Sequence, residues 1–475
     1  MNLDSNHTVK ETHDNFKALD AGGGIIAVFD IGKTNKKFFL LNEQYQIVQE
    51  RNIQITEISD EDGFPSDNVR ELTDWVHAIM NEIKTGSELN QVKAINISAY
   101  GASFVNIGEN GELITPLYNY LKPYPHDLLA SFYDSYGGEN KFSLLTASPV
   151  LGNLNSGLLL YYLQKQKNTL FEQIKYSLHL PQYISYLISG KAISEITSIG
   201  CHTGLWDFTK GTYHDWVFAE DMIEKLAPIS KADQVSELNW EGRSVKVGIG
   251  LHDSSSALIP YLRIFSKPFV LISTGTWCIS MNPFNKLPLT EEELEQDCLC
   301  YLTYEGQPVK SSRLFAGNEH AEQVKRLGDY FHKAPNYYKE IVYDSCIMNG
   351  VDTTRYLGPI HTGKYPSVFG GRDLSLYSSY EEAYHQLLYD IMQQQKRSVS
   401  WVLSEQKTDR IFVDGGFAHN PVYMQLLANS FPGIQVFAAT VSQASAIGAA
   451  LAIHSVWNEL PIPDNLISVE FYQPN

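Results

Sequence analysis

"AVFDIGKTNKKFFL", residues Ala27 to Leu40, contains Gly32-Lys33-Thr34, the three residues that end the best-known phosphate-binding loop. That loop needs a glycine five positions before Gly32, but Ala27 stands there, inside an apolar run. A second apolar stretch, Lys36 to Asn42, follows where the loop would begin a helix. The stretch therefore predicts a β-hairpin with a tight polar turn, whose backbone N–H groups could hold a phosphate. An ordinary hairpin without a ligand is the alternative.

The composition limits the classes of protein to which the chain can belong. Its 475 residues are enough for two or three domains, and 43% of them are hydrophobic, as in a soluble globular protein. A net charge of −18 argues against nucleic acid or an anionic membrane as a partner. Five cysteines, without metal-ligand spacing apart from Cys298 and Cys300, indicate reduced thiols in a cytoplasmic protein. The polar stretch 1–22 is predicted to be a flexible N-terminal tail, and the apolar run 444–453 is too short to cross a bilayer.

Strand-like and helix-like segments alternate along the chain, which predicts an α/β fold. The strands are expected at 25–29, 93–97, 269–272 and 410–413, and the helices at 68–83, 380–403 and 421–430. The segment 268–280 repeats the plan of the opening stretch: an apolar strand, a small polar turn around Gly275, and a second apolar strand. Two such hairpins suggest two related halves whose turns face each other across a cleft and clamp a polyphosphate. The alternative is that hairpins recur by chance in α/β proteins.

A third stretch, Arg410 to Pro421, has residue types suited to a ligand site. A strand ends there in Gly415-Gly416, and Asn420 and Pro421 are typical of a helix N-cap and first helical position. Glycines at the carboxyl end of a strand let a flat ring approach the backbone, although a tight structural turn explains them equally well. The small residues of the expected helix near Ser442 are typical of core packing.

A fourth stretch, Gly248 to Ala257, contains an acidic residue in a chemically suggestive place. Asp253 lies between His252 and Ser254, after a glycine-rich turn and before an apolar, helix-like segment. It is a candidate for a general base at a helix N-terminus, and it could equally be an N-cap.

Taken in this order, the four stretches resemble the FGGY family of carbohydrate kinases. Leu180 to Lys191 and the turn Glu195 to Ser198 also resemble segments of that family, so the resemblance extends from Ile25 to His454. It implies an α/β fold of two actin-like, ribonuclease H-like domains with ATP and sugar bound in the interdomain cleft. The expected domains are 23–247, with the sugar side and the first phosphate hairpin, and 248–475, with the catalytic base, the second hairpin and the adenosine site.

The resemblance assigns roles to individual residues. Asp30 matches the aspartate that holds Mg²⁺, usually through water, and Asp253 matches the catalytic base that accepts the proton of the sugar hydroxyl. The residues matched to the ATP site are Gly32, Lys33, Thr34 and Asn35 in the first phosphate turn, Ser273, Thr274, Gly275 and Thr276 in the second, and Gly415, Gly416 and Asn420 at the adenosine. The residues expected at the sugar are Ser98, Tyr100, Gly101, His252, Asp253 and Ser254.

The chain departs from the family at several positions. The family usually has a small hydroxyl residue where Lys33 stands, so this lysine is a candidate for direct contact with phosphate. Ile97 to Phe104 resembles the IDTWGVDF stretch of rhamnulokinases, with Ser98 and Ser103 in place of its two acidic residues. Tyr118 to Lys122 occupies the place of a W/Y-x-D-x-R motif, without its Asp and with Lys for Arg. The nearest branch is that of rhamnulokinases and fuculokinases, and the sugar is the least determined feature.

The resemblance implies ATP-dependent phosphorylation of a hydroxyl on a ketose or deoxyketose, such as rhamnulose or fuculose, with ATP and Mg²⁺ as cofactors in a cytoplasmic enzyme. One alternative is a catalytically silent sugar- or nucleotide-binding regulatory relative of the same fold. Another is an actin-like or chaperone ATPase, which has the hairpins but lacks the segment at Leu180 to Lys191. The expected partners are a small-molecule sugar and ATP, without nucleic acid or membrane, and a homodimer is left open. Cleft closure on sugar binding is expected to keep water from the phosphoryl group.

Overall fold

The computed structural model describes residues 12–14, 23–85, 91–240, 242–354, 367–403, 408–441 and 443–475. The contacts among residues divide the chain into two units. The first unit consists of Met1–Ile264, Tyr301–Gln307 and Ser442–Leu466, and the second consists of Phe265–Cys300, Pro308–Val441 and Ile467–Asn475.

The strands account for the two main sheets and several two-stranded pairs. They are β1 Thr12–Asp14, β2 Ile25–Ile31, β3 Lys36–Asn42, β4 Ile47–Ile53, β5 Ile58–Ser59, β6 Pro65–Ser66, β7 Val92–Ala99, β8 Phe104–Ile107, β9 Tyr176–His179, β10 Ser194–Glu195, β11 Trp206–Asp207, β12 Thr212–Tyr213, β13 Ile229–Ser230, β14 Val235–Trp240, β15 Arg243–Gly248, β16 Leu251–His252, β17 Phe269–Thr274, β18 Cys278–Asn282, β19 Cys298–Leu302, β20 Pro308–Leu314, β21 Arg410–Gly415, β22 Gln435–Thr440 and β23 Ser468–Tyr472.

The helices lie between these strands. They are α1 Val69–Thr85, α2 His126–Ser135, α3 Glu139–Thr146, α4 Ser156–Gln166, α5 Asn168–Gln173, α6 Leu180–Ser189, α7 Ile196–Ile199, α8 Asp215–Ala219, α9 Asp253–Ile264, α10 Glu291–Glu295, α11 Ala316–Phe331, α12 Ser345–Met348, α13 Tyr380–Val402, α14 Pro421–Ser430, α15 Ala444–Ala452 and α16 His454–Trp457. Short 3-10 segments are Gly152–Leu154, Met222–Lys225, Tyr337–Glu340, Phe369–Gly371, Leu374–Leu376 and Gly416–His419. No helix within the described ranges is both long enough and apolar enough to cross a membrane. The predicted strands and helices are all present, with ends shifted by a few residues at most.

The sheet of the first unit has the order β1-β4-β3-β2-β7-β15-β14, and β16 also pairs with β7. Antiparallel β2 and β3 form the predicted hairpin. Both β2 and β16 run parallel to β7, with Asp30 opposite Ser98 and His252 opposite Ala99. The carboxyl ends of these three strands therefore meet at one edge of the sheet, which is where open α/β sheets bind ligands.

One part of the predicted flexible tail belongs to this sheet. Thr12–Asp14 forms β1, which pairs antiparallel with β4, and Thr12 lies opposite Asn52. Strand pairing satisfies backbone hydrogen-bonding groups that a tail would leave to water. These three residues are therefore part of the sheet, whereas the sequence predicted a flexible tail over 1–22. Residues 1–11 and 15–22 lie outside the described residues.

The sheet of the second unit has the order β19-β20-β18-β17-β21-β22-β23. Antiparallel β17 and β18 form the second predicted hairpin, and β17 runs parallel to β21 with Thr274 opposite Gly415. Helix α13 begins after Ser379, whose hydroxyl accepts from the Glu382 backbone N–H, and its buried face includes Leu387. This arrangement again places a glycine turn and a strand end side by side.

Helices α9 and α15, which are distant in sequence, pack closely within the first unit. Pro260 lies inside α9 and has no N–H, so the Ser256 carbonyl oxygen lacks its usual helical donor. That oxygen faces Gly448 of α15, where a built Cβ would lie only 1.8 Å away. The Ser256 hydroxyl also donates to the Ser445 carbonyl oxygen at 2.7 Å. Because α9 packs in this way, the first unit extends beyond the predicted domain boundary between 247 and 248, to Ile264.

We expect Gly448→Ala to destabilise the protein by about 1–3 kcal/mol, because the added methyl group would force α9 and α15 apart. Thermal unfolding followed by circular dichroism measures the effect. Gly433→Ala is the matched control, since a Cβ at Gly433 meets no atom within 4 Å. Equal unfolding temperatures for the two variants would contradict the close packing of α9 and α15.

Candidate active site

Two carboxylates lie at the carboxyl-end edge of the first unit's sheet. Asp30 is near the end of β2, opposite buried Ser98, and Asp253 begins α9 directly after β16. The Ser445 hydroxyl, at the start of α15, donates to Asp30 Oδ2 at 2.9 Å. Burial raises the pKa of Asp30 to about 6, and the charge of Asp253 adds to the rise. The residues assigned to magnesium and to proton transfer are therefore neighbours.

The surroundings of Asp253 suit a general base. Its Oδ1 accepts from the Ser254 backbone N–H at 2.6 Å, and the Ser254 hydroxyl oxygen lies 3.3 Å away. Burial raises the pKa of Asp253 to about 6, although these hydrogen bonds oppose the rise. The side chain is still 33% exposed, so a ligand can reach the carboxylate. Ser254, which was expected at the sugar, orients Asp253.

His252 is held in a neutral form next to this carboxylate. Its Nε2 lies 3.2 Å from Asp253 Oδ1 and 3.2 Å from Cys201 Sγ. Burial lowers the pKa of His252 to about 3. The Ser255 hydroxyl donates to the Leu302 carbonyl oxygen at 2.9 Å, and its oxygen lies 3.3 Å from His252 Nδ1.

Gly101 allows the chain after β7 to pass against His252. A Cβ at Gly101 would lie 2.7 Å from Cys201 Sγ and 2.8 Å from His252 Cδ2. The ring of Tyr301 lies on another side of the imidazole, with 5.4 Å between ring centroids. Sequence reasoning identified Gly101 and His252 but missed Cys201 and Tyr301, because neither residue lies in a recognised motif.

The first phosphate turn is closed by its own backbone, since the Gly32 N–H donates to the Asn35 carbonyl oxygen at 2.9 Å. Thr34 and Asn35 are exposed. Lys33 is engaged elsewhere: its ammonium pairs with Asp67 and lies 3.2 Å from Glu57. Burial lowers the pKa of Lys33, but these carboxylates outweigh it, so the pKa lies above its ordinary value.

Asp67 is the centre of a buried polar network below this turn. Besides Lys33, it accepts from the Tyr100 hydroxyl at 3.0 Å and pairs with the buried Lys36 ammonium at 3.3 Å. The ammonium of Lys33 also lies over the rings of Tyr100 and Tyr120, 5.9 and 5.8 Å from their centroids. Tyr100, which was expected at the sugar, thus directs its hydroxyl to Asp67.

In the second unit, Thr274 fastens its turn to the neighbouring strand. Its hydroxyl donates to the Asp414 carbonyl oxygen at 2.6 Å and accepts from the Phe417 N–H at 3.0 Å. Gly415 has φ +88°, and a Cβ there would lie 2.0 Å from the Thr274 carbonyl oxygen. The positive φ and the close approach of the Thr274 carbonyl oxygen both require glycine at position 415. Ser273, the residue before Thr274, is partly buried in β17.

A helix also approaches this second turn closely. The Gly275 N–H donates to the Trp277 carbonyl oxygen at 2.9 Å, and the Thr276 carbonyl oxygen accepts from the Asn318 N–H at 3.1 Å. A Cβ on Gly317, near the start of α11, would lie 1.8 Å from the Gly275 carbonyl oxygen. Sequence reasoning missed Gly317, since no motif was recognised around it.

A cavity of about 580 Å³ in the second unit brings together residues from separate predicted motifs. It is lined by Gly275, Gly416 and Asn420, which were predicted, and also by His320, Tyr338 and Lys339, which were not. Its volume is within the range of small-ligand sites. The rings of His320 and Tyr338 lie 5.0 Å apart, and burial lowers the pKa of His320 to about 4. A neutral aromatic wall therefore stands beside the two glycines.

Both ends of the Asn420 side chain make a hydrogen bond within the protein. Its Oδ1 accepts from the Tyr423 N–H at 3.1 Å, as the N-cap of α14, and its Nδ2 donates to the Tyr384 hydroxyl at 2.7 Å. The predicted N-cap is confirmed. Asn420 shapes the cavity by fixing the start of α14.

The residues present fit a magnesium ion. Asp30 and Asp253 repel each other in a partly buried place, and a divalent cation would relieve that repulsion. Among the described residues, no group of three or more His, Cys, Asp and Glu side chains could hold a metal. Mg²⁺ keeps several waters and binds phosphate oxygens when few carboxylates are available.

The sequence matches two family models in succession. The N-terminal domain of the FGGY family of carbohydrate kinases matches residues 25–259, and the FGGY carbohydrate kinase C-terminal domain matches residues 266–460. The chain therefore belongs to the FGGY family of carbohydrate kinases, as the motifs predicted.

Individual relatives are distant. Rhamnulokinases from Halalkalibacterium halodurans and Bacteroides thetaiotaomicron are each 24% identical to the chain, over 221 and 235 residues. Each alignment covers 43% of this chain and 46% or 44% of that relative, so it spans less than half of either protein.

Solved structures match over nearly the whole chain. A carbohydrate kinase from Novosphingobium aromaticivorans has a TM-score of 0.75 at 22% identity, and a ligand-bound xylulose kinase from Lactobacillus acidophilus has 0.76 at 16%. Both alignments cover 95% of this chain and 94% of the other. The fold is the two-domain, actin-like and ribonuclease H-like α/β fold of these kinases, as predicted.

The raised pKa of Asp253 predicts a pH-dependent cost to stability. Because it lies above the usual value near 3.8, the folded protein binds more protons than the unfolded chain between about pH 4 and 6. The contribution of this site to stability is therefore lost as pH rises through about 6. We expect Asp253→Asn to raise the unfolding temperature by about 2–4 °C at pH 8 and by less at pH 5.

Differential scanning calorimetry in the presence of a chelator measures this difference. Asp215→Asn is the control, since Asp215 is 75% exposed and paired with Lys210, which lowers its pKa. A decrease in the unfolding temperature of Asp253→Asn at pH 8 would show that the ionised Asp253 carboxylate does not destabilise the folded protein.

Proposed function

We propose that the protein transfers the γ-phosphoryl group of ATP to a hydroxyl of a ketose or deoxyketose, such as rhamnulose or fuculose. The observation that carries the proposal is the pair formed by Asp253 and Asp30 at the carboxyl ends of β16 and β2, each with a pKa raised to about 6. A partly exposed carboxylate with such a pKa is ionised at neutral pH and is basic enough to accept a proton.

In the proposed reaction, Asp253 accepts the proton of the sugar hydroxyl while the oxygen of that hydroxyl forms a bond to the γ-phosphorus. The bond between that phosphorus and the bridging oxygen of ADP breaks, and ADP leaves with the bonding electrons. Neutral His252 places Nε2 3.2 Å from the base, where it adds a second polar group that can contact the hydroxyl. Mg²⁺, held by Asp30 through water, would neutralise charge on the phosphates.

The nucleotide is proposed to bind through backbone groups. The phosphate contacts come from Gly32, Lys33, Thr34 and Asn35 and from Ser273, Thr274, Gly275 and Thr276. The adenosine is placed at Gly415, Gly416 and Asn420, in the cavity of about 580 Å³ lined by Gly416 and Asn420. Tyr338 offers this ring an aromatic face that the sequence did not indicate.

The sugar is proposed to lie against Ser98, Tyr100, Gly101, His252 and Ser254. The names of the two rhamnulokinase relatives support a ketose or deoxyketose. We propose the cytoplasm as its location, on the basis of its reduced cysteines.

The two alternatives differ in what they require of Asp253. A silent sugar- or nucleotide-binding relative has no need of an oriented carboxylate with a raised pKa. A chaperone-like ATPase would hydrolyse ATP without a sugar. The segment Leu180–Ser189, which forms α6, matches the sugar-kinase pattern and favours the first proposal over an ATPase.

The proposal is tested by measuring the release of ADP from Mg-ATP in the presence of a panel of ketoses. The panel includes rhamnulose, fuculose, xylulose and ribulose. We expect one sugar to increase the rate at least about tenfold. ADP release that no sugar changes would indicate an ATPase, and no release at all would indicate a silent relative.

The same assay tests the base. Asp253→Asn is expected to lower kcat by about 10²–10⁴-fold, because the sugar hydroxyl loses its proton acceptor. ATP binding, measured by calorimetry, should change little. Asp215→Asn, which removes an exposed carboxylate, is the matched control. If Asp253→Asn kept most of its turnover, the assignment of the base would be wrong.

Lys33 is proposed to act by holding Asp67 and Glu57 below the turn, and not by placing its ammonium on phosphate. We expect Lys33→Thr to lower the unfolding temperature more than Lys37→Thr, which removes a lysine of β3 that pairs with Glu50 of the neighbouring strand β4. The KM for ATP should stay within about threefold, whereas loss of a charged contact to phosphate would raise it about tenfold or more. Steady-state kinetics and thermal unfolding of both variants separate these roles.

A further inference from the structure

A second cavity in the first unit has a volume of about 880 Å³. None of the residues assigned to the sugar, to the phosphates or to magnesium lines it. Its lining includes apolar groups from Ile196, at the start of α7, and from Leu451 and Ala452, at the end of α15. Cavities of this size hold small organic ligands.

The polar part of the lining contains charges of both signs. The cations are Arg263, at the end of α9, and Lys231, directly after β13, and both side chains belong to exposed residues. Arg263 is hydrogen-bonded to Tyr304. The Lys231 carbonyl oxygen accepts from the Gln234 N–H, but its ammonium has no hydrogen-bond or ion-pair partner among the residues that the structure describes. Its donors are therefore free for a ligand.

We propose that this cavity binds a phosphate monoester carried on a hydroxyl-bearing small molecule. Arg263 and Lys231 supply charged donors for the phosphoryl oxygens. Asp233 and Glu305, which also line the cavity, accept hydrogen bonds from hydroxyl groups, and Ser230 can donate to them or accept. A neutral sugar would leave the two cations unused, and a bare anion would be repelled by the two carboxylates.

The cavity is connected to the candidate active site by α9. Asp253 is the first residue of this helix, and Arg263 is its next-to-last residue. The two residues are ten positions apart, which corresponds to about 15 Å along the axis. A ligand that moves Arg263 therefore acts on the helix that carries the proposed base.

Helix α15 makes a second connection. Ser445, near its start, donates to Asp30, while Leu451 and Ala452 at its end line the cavity. Its contact with α9 at Gly448 leaves no space between the two helices, so a displacement of one is transmitted to the other.

The third connection passes through β10 and β13. Ser230 of the cavity lies opposite Glu195 in this parallel pair. Glu195 accepts from the Thr197 hydroxyl at 2.5 Å, and Thr197 Oγ1 in turn accepts from the His252 backbone N–H at 3.0 Å. The cavity is thus joined to Asp30, His252 and Asp253 by three separate elements. A bound phosphate ester is therefore expected to change kcat, a consequence that rests on the proposed function.

Equilibrium binding to the full chain tests the site without turnover. Three probes are used: fructose 1-phosphate, AMP and inorganic phosphate, each titrated by calorimetry with the nucleotide site filled by a non-hydrolysable ATP analogue. The test variant is Lys231→Gln/Arg263→Gln. The matched control is Lys191→Gln/Lys267→Gln, which removes two exposed cations that do not line the cavity.

We expect fructose 1-phosphate or AMP to bind the wild type and the control with a Kd of about 1 mM or lower, and the test variant at least about tenfold more weakly. The tighter of the two probes identifies the source as a sugar phosphate or a nucleotide, and inorganic phosphate should bind more weakly than either. No binding of the two esters by the wild type, or equal binding by the test variant, would overturn the proposal. Failure of the sugar panel would refute the kinase proposal and leave this binding result standing.

The effect on catalysis is measured separately, at saturating sugar and ATP. The tighter ester should change kcat of the wild type and the control by about twofold or more and should leave kcat of Lys231→Gln/Arg263→Gln unchanged. An equal change in all three proteins would place the effect at the active site and would remove the connection to the cavity.

Discussion

The structure of the first unit depends on holding two carboxylates together at one edge of its sheet, where burial raises the pKa of both and the charge of Asp253 adds to the rise at Asp30. Asp30 and Asp253 meet because β2 and β16 both pair in parallel with β7, so that their carboxyl ends lie at one edge. This costs folding free energy at neutral pH. The core below the edge offsets that cost: β2 and β7 are buried almost throughout. The buried sheet is thus the support of the site.

Side chains of the phosphate turns contribute more to the shape of the turns than to ligand contact. Lys33 is paired with Asp67 and Glu57, Thr274 joins β17 to β21, and Asn420 caps α14. A polyphosphate carries charge that backbone N–H groups can bind if the turn is held open to them. The side-chain bonds of these residues are structural, and the proposed phosphate contacts would come from the backbone that they hold in place.

Much of this architecture is readable in the sequence, because it depends on local patterns. Both hairpins follow from apolar runs around a glycine, and α14 follows from Asn420 and Pro421. Long-range pairing is different. Ser445 reaches Asp30 across 415 positions of sequence, and no local pattern indicates that contact. For the same reason the sequence placed the domain boundary before α9, whereas the structure groups α9 with α15.

Residues of the cavity of about 580 Å³ in the second unit illustrate the same limit. Tyr338 and His320 come from a 3-10 segment and a helix without a recognised motif, and they meet Gly416 only in the folded chain. A single aromatic residue has no sequence signature that separates a ligand wall from core packing. Sequence reasoning therefore found the glycines, which have a backbone requirement, and missed the rings.

Two of the residues that differ from the family motifs on the sugar side make polar contacts within the protein. Ser103, where the resemblance expects an acid, hydrogen-bonds to Tyr100, whose hydroxyl donates to Asp67. Lys122, where an arginine is expected, pairs with Asp60 and also with Asp62, at 2.5 and 2.6 Å. Ser103 and Lys122 thus each have a polar partner within the protein.

Most groups around the proposed sugar site carry no net charge. The charge of Asp67 is compensated by Lys33 and Lys36, and His252 is neutral. Apart from Asp253, the proposed base, the groups proposed to contact the sugar are uncharged. Neutral hydrogen bonds discriminate by geometry, since each unmatched buried group costs about 1–3 kcal/mol. Specificity in this chain should therefore depend on the shape formed by Tyr100, Gly101 and Tyr301, and less on charged pairs with sugar hydroxyls.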